Sequence, residues 1–76
     1  MTDKETRLSQ IRKDLGVSQE AIARRTRFTI GTYRRAEYGH PVRYSTAMEI
    51  LQAVNSLLKE RGMPELSLED LGLILE

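Results

Sequence analysis

The sequence predicts an all-α domain, and three observations carry that prediction. Only two prolines and five glycines interrupt its 76 residues, which leaves room for long helical segments. Apolar residues recur at helical spacing, most plainly Ala47, Ile50, Leu51, Val54, Leu57 and Leu58, and no stretch alternates with the period of a strand. Three apolar runs are each preceded by a hydroxyl residue suited to capping: Ser18, Thr29 and Ser67. Around each cap stands an apolar pair placed as a staple, Val17 with Ile22, Phe28 with Tyr33, and Leu66 with Leu71.

Five helices follow in order. The first is expected to start near Thr2 or Asp3 and run to Leu15, with Leu8, Ile11 and Leu15 on one side and Gly16 ending it. The second, about Gln19 to Arg25, buries Ile22 and Ala23. The third, about Ile30 to Tyr38, follows after only Thr26, Arg27, Phe28 and the cap Thr29, and a turn that short makes the two helices cross steeply. The fourth is the longest and stops before Gly62 and Pro64. Its start has two readings, a capping box of Thr46 with Glu49, or a cap at Arg43 or Ser45. The last runs from Leu68 to about Leu75 and carries Gly72 inside it.

Composition excludes several functions. Without cysteine there is no disulfide framework or thiolate metal site, and a single histidine makes no zinc site. No apolar run approaches the roughly 18 residues of a membrane span. The N-terminus MTDKETRLSQ is unlike a signal peptide, so a soluble cytoplasmic protein is expected. The serines, aspartates and His40 are scattered, so the chain is expected to be neither an enzyme nor the holder of a cofactor or small-molecule effector.

The net charge is only +1, but its distribution is uneven. Residues 1–43 hold ten Lys/Arg against five Asp/Glu, whereas residues 44–76 hold two against six. Ala21 to Arg43 carries six arginines and the single acid Glu37. A basic cluster alone reads equally well as a solvated face. Arginine without lysine, however, favours phosphates and base edges, which the planar guanidinium matches. On a helix of 100° per residue, Tyr33 and Ala36 face one way. Gly31, Arg34, Arg35 and Tyr38 face the other, with Ile30 on the shoulder, so the double arginine points away from the core.

The segment Ile11 to His40, IRKDLGVSQEAIARRTRFTIGTYRRAEYGH, resembles the helix-turn-helix of phage repressor and Cro proteins, the XRE family. Arg12, Gly16, Val17, Ser18, Gln19, Ile22, Ala23, Thr29, Tyr33, Glu37 and Gly39 occupy the family's places, and the match covers about residues 5–58. The resemblance implies a five-helix, lambda-repressor-like domain. Ile30, Gly31, Arg34 and Arg35 would reach base edges of double-stranded DNA. Ser18, Gln19, Tyr38, His40 and Arg43 would lie on phosphates, Gln19 would also brace the recognition helix, and Arg12 with Glu37 would form a structural ion pair. Two positions depart from the pattern. Arg27 stands where glycine is usual, which requires either strain of order 1 kcal/mol at positive φ or a reshaped turn. Ile30 and Gly31 replace the usual polar readers, leaving direct readout mostly to Arg34 and Arg35, whose natural partner is guanine.

The expected function is therefore sequence-specific DNA binding by a transcriptional regulator acting on a palindromic operator as a homodimer. Leu66, Leu68, Leu71, Leu73, Ile74 and Leu75 crowd the last residues. If Leu68, Leu71 and Leu75 cover the domain, Leu73 and Ile74 are left exposed for a two-fold interface. The competing expectation is an antitoxin or protein-interaction module that keeps the same fold.

Overall fold

The computed structural model describes residues 6–76, which form five helices and no strand: α1 (Arg7–Leu15), α2 (Gln19–Ala23), α3 (Ile30–Glu37), α4 (Tyr44–Glu60) and α5 (Leu68–Leu71). The helices surround one core in which Leu8, Ile22, Tyr33, Ala47, Ile50, Val54 and Leu71 are fully buried. α4 supplies most of that core through Ala47, Ile50, Leu51, Ala53, Val54, Leu57 and Leu58. It packs against α2 and α5, while α1 lies on α5 and α2 on α3.

The caps explain most boundaries. Ser18 Oγ accepts the Ala21 N–H at 3.1 Å and Thr29 Oγ1 accepts that of Thr32 at 3.4 Å. At the start of α5 the Ser67 N–H and hydroxyl both donate to the Asp70 carboxylate, at 2.8 and 3.0 Å. Gly16 closes α1 in the left-handed region, at φ 73°.

Four boundaries differ from the sequence expectation. α1 begins at Arg7, not at Thr2 or Asp3, which lie outside the described residues. Its cap is Thr6, whose hydroxyl accepts the Ser9 N–H at 3.1 Å and donates to the Glu37 carbonyl at 2.7 Å, tying α1 to the end of α3. α2 stops at Ala23 because the Arg25 and Thr26 N–H groups bond three residues back, to Ile22 and Ala23, and tighten the chain. Six residues, 24–29, therefore join α2 to α3. α3 ends at Glu37, with Tyr38 as its C-cap.

At α4 the Thr46–Glu49 capping box is absent. Glu49 is spent elsewhere, accepting the Arg27 backbone N–H at 2.9 Å, and Arg43 stands at the N-cap without a side-chain bond. The same bond resolves the oddity of Arg27. No described residue other than glycine has positive φ, so the turn carries Arg27 without strain.

The largest correction is at the C-terminal end. Gly72 is not inside a helix but ends α5, at φ 65°. The residues after it extend alongside Val42, whose N–H donates to the Ile74 carbonyl and whose carbonyl accepts the Glu76 N–H, both at 2.8 Å. Leu73 is consequently packed against the core, whereas Ile74 and Leu75 are exposed. The exposed pair is Ile74 with Leu75, not Leu73 with Ile74, because α5 ends at Gly72 and the chain leaves the core as an extended segment beside Val42.

Candidate nucleic-acid interface

The site is built around one buried acid. Glu37, at the end of α3, is 4 % exposed. Arg12 of α1 grips its carboxylate with two bonds, Nε to Oε2 at 2.7 Å and Nη2 to Oε1 at 3.1 Å. The Tyr33 hydroxyl donates to Oε2 at 2.6 Å and Gln19 Nε2 to Oε1 at 2.8 Å. Arg12 Nη1 also donates to the Val17 carbonyl at 3.0 Å, so the network fixes α1, the α1–α2 turn, α2 and α3 together. No buried side-chain nitrogen or oxygen among the described residues lacks a partner, as a polar cluster in a small core requires.

The electrostatics follow from this geometry. Burial pushes the Glu37 carboxyl up, but the hydrogen bonds from Arg12, Tyr33 and Gln19 together outweigh it and hold the group below its ordinary range. Burial, and then the bond to Glu37, push the Tyr33 hydroxyl far above its usual value. The bond to Glu37 likewise raises Arg12. The acid thus stays ionised, and its charge is neutralised inside the protein.

That leaves the outward side of α3 without a free acid. Gly31, Arg34, Arg35 and Tyr38 are all exposed, at the i, i+3, i+4, i+7 spacing of one helix face. Arg34 Nε donates to Gln19 Oε1 at 3.1 Å, whereas no bond holds the Arg35 side chain among the described residues. Thr32 and Arg35 line one groove with Pro41, Val42, Arg43, Thr46 and Glu76. Tyr38, His40 and Arg43 are exposed on the α3–α4 connection, which Gly39 turns at φ 92° and the His40 N–H anchors to the Arg35 carbonyl.

Not every candidate belongs to this face. Ile30 is half-buried, packed on the core and beside Ala23, Thr26 and Phe28, so only its edge is available. Gln19 is half-buried, and its amide is engaged at both ends. Ser18 is exposed while capping α2. Arg25 is turned to the opposite side, where Ser56 and Glu60 of α4 bind it at 2.9 Å.

Several structural partners left no trace in the sequence reading. Thr6, the pairing of Arg25 with Glu60, and Asn55 are examples. Asn55 accepts the Leu66 N–H and donates to its carbonyl, holding the chain before α5. These partners are separated by 31, 35 and 11 residues respectively, and no local spacing signals them.

No helix among the described residues is long and apolar enough to cross a membrane. No protein-family model matches the chain, and no match was found among curated proteins or solved structures.

Proposed function

We propose that the protein is a sequence-specific double-stranded DNA-binding regulator, with α2, the 24–29 turn and α3 acting as a helix-turn-helix of the phage repressor and Cro kind. One observation carries this reading: the only acid between Ala21 and Arg43 is buried and neutralised, while Arg34, Arg35 and Arg43 remain exposed. With Glu37 neutralised inward, α3 presents Arg34 and Arg35 outward with no acid of its own, a side that a polyanion fits, and the nearest acid is Glu76 in the groove beside Arg35 and Arg43. α3 would enter the major groove, with Arg34 and Arg35 on base edges and Gly31 allowing close approach. Ser18, Tyr38, His40 and Arg43 would set the register on phosphates.

A palindromic site would be bound by two copies. Exposed Ile74 and Leu75 are the apolar patch for that contact. Because Val42 uses Ile74 and Glu76 for its bonds, the Leu75 N–H and carbonyl point outward from the pairing, an edge that a second copy can complete. The second reading, a protein-interaction module, has in its favour a largely apolar groove lined by Ile11, Asp14, Leu15, Leu58, Met63, Pro64 and Leu66, none of which belongs to α3.

The test is a titration of labelled random duplex at several salt concentrations. DNA binding predicts affinity that falls steeply with salt. Arg43→Ala should flatten the slope by about one unit if Arg43 sits on a phosphate, and Arg25→Ala should leave it unchanged. Absence of binding at low salt would favour the interaction module.

A further inference from the structure

We infer that Glu76 is a built-in competitor of the DNA backbone: it lies among the arginines where a phosphate would lie, and a duplex must push it aside. This rests on the DNA-binding reading above. The residues after Gly72 return alongside Val42, and the Glu76 N–H donates to the Val42 carbonyl at 2.8 Å. That bond anchors the backbone of Glu76 next to Arg43. Glu76 accordingly lines the groove that Arg35 and Arg43 also line, and it is the only acid there. Arg35 belongs to α3 and Arg43 leads into α4, so the groove joins the element proposed to read bases to the one proposed to grip the backbone.

The acid is placed as a displaceable counter-charge. Glu37 and Glu60 are each gripped by an arginine, Glu37 by Arg12 and Glu60 by Arg25. Glu76 is exposed, and what fixes it is its backbone N–H. Its side chain can therefore turn away about its own bonds while the pairing with Val42 stays in place. Two guanidiniums favour an anion in this groove. The start of α4 adds to them, because its N-cap Arg43 makes no side-chain bond and leaves the positive end of the helix uncapped.

A carboxylate and a phosphate carry like charge and seek the same partners. Binding any duplex then requires Arg35 and Arg43 to exchange one anion for another, against the repulsion of the one displaced. The resulting loss of affinity is independent of sequence, because a phosphate carries no base information. Random DNA is held almost wholly through its phosphates and has no base contacts to offset that loss. Glu76 thus holds down occupancy of random sites.

The experiment has two arms, each comparing Glu76→Gln with Glu65→Gln. The second variant removes the same charge from an exposed residue outside the groove. In the free protein, the Nε–H resonances of Arg35 and Arg43 are followed by nitrogen-15 NMR. Glu76→Gln should shift at least one of them, and Glu65→Gln neither. Unmoved resonances in Glu76→Gln would overturn the inference and leave the DNA reading standing.

The second arm titrates a random duplex at several salt concentrations. At low salt Glu76→Gln should bind roughly threefold to tenfold more tightly than wild type. The gain should shrink as salt rises and screens the exposed charge. Most of it should vanish in the Arg43→Ala background, where no phosphate is drawn to that place. Thermal unfolding establishes that each variant is folded. An equal gain from Glu65→Gln, or a full gain without Arg43, would reduce the effect to net charge and overturn the inference alone. A duplex that none of the variants binds at low salt would overturn the DNA reading and this inference with it.

Discussion

The two sides of α3 handle charge in opposite ways. On the inner side, Tyr33, Ala36 and Glu37 are buried, and every polar atom of Glu37 and Tyr33 is bonded. On the outer side, Arg34 is tethered by a single bond, and Arg35 by none among the described residues. The difference separates two roles within eight residues. Charge that is fully satisfied holds the fold together, and charge that is left over is available for a partner. The Arg25–Glu60 pair is a useful contrast, because it is satisfied yet exposed. Surface pairs of that kind contribute little to stability.

If this division holds, mutations on the inner side should cost stability and those on the outer side should cost binding. The largest effect is expected at Glu37. Removing one partner of a pair this buried leaves the other charge uncompensated, at about 3 kcal/mol. Glu37→Gln and Arg12→Met should each lower the urea midpoint by that order, and the double variant should lose much less than their sum. Additive losses would mean that the pair carries no coupling. Arg25→Ala should leave the midpoint within experimental scatter.

Acid should find the same group. The folded carboxyl of Glu37 titrates below its ordinary value of 4.5, so its contribution is present above that pH and is lost as the pH falls through the folded value. Urea midpoints should therefore decline below about pH 4.5. Glu37→Gln should flatten that arm, leaving the contributions of Glu60 and Asp70, which are also lowered. An unchanged acid arm in Glu37→Gln would place the pH dependence elsewhere.

On the outer side, Arg35→Ala should leave the urea midpoint unchanged and cost about 1–3 kcal/mol of binding on a preferred duplex. That loss should shrink once the guanine it reads is replaced. An equal loss on both duplexes would make Arg35 a backbone clamp. Gly31→Ala is the subtlest. A Cβ there would meet only Thr29 Oγ1, at 3.7 Å, so the fold supplies no reason for glycine. The substitution should stabilise the helix by about 0.5–1 kcal/mol. It should nevertheless weaken DNA binding, by about tenfold, if the backbone at Gly31 lies against a base edge. A variant that gains stability and keeps full affinity would remove Gly31 from the interface.

What was legible in the sequence was what is decided locally. Ser18, Thr29 and Ser67 cap the helices that follow them because an N-cap acts on residues two or three ahead. The α4 stripe declares its own buried side, and a helical projection suffices to place Arg34 and Arg35 outward. What was missed depends on partners far along the chain. Gly72 reads as an interior glycine until Val42, thirty residues earlier, offers the residues after it an extended pairing. Glu49 reads as half of a capping box until the Arg27 N–H claims it. Thr6 has nothing in its neighbourhood to mark it, because the carbonyl it serves belongs to Glu37. For the candidate site, the Arg12–Glu37 pair was expected and is present, and Gln19 was expected on a phosphate and as a brace for the third helix; only the folded chain supplies the particular atoms, placing its amide between Glu37 and Arg34.

The account stands on the outer side of α3 reading DNA sequence, and selection of bound duplexes from a random pool tests this directly. The expected result is enrichment of a short motif repeated with two-fold symmetry, its half-sites about one helical turn apart, with guanines at fixed positions. Repeating the selection with Arg34→Ala should erase the preference at one of those guanines while the rest of the motif persists. A pool that emerges without enrichment, or a motif that Arg34→Ala and Arg35→Ala leave unchanged, would contradict the account.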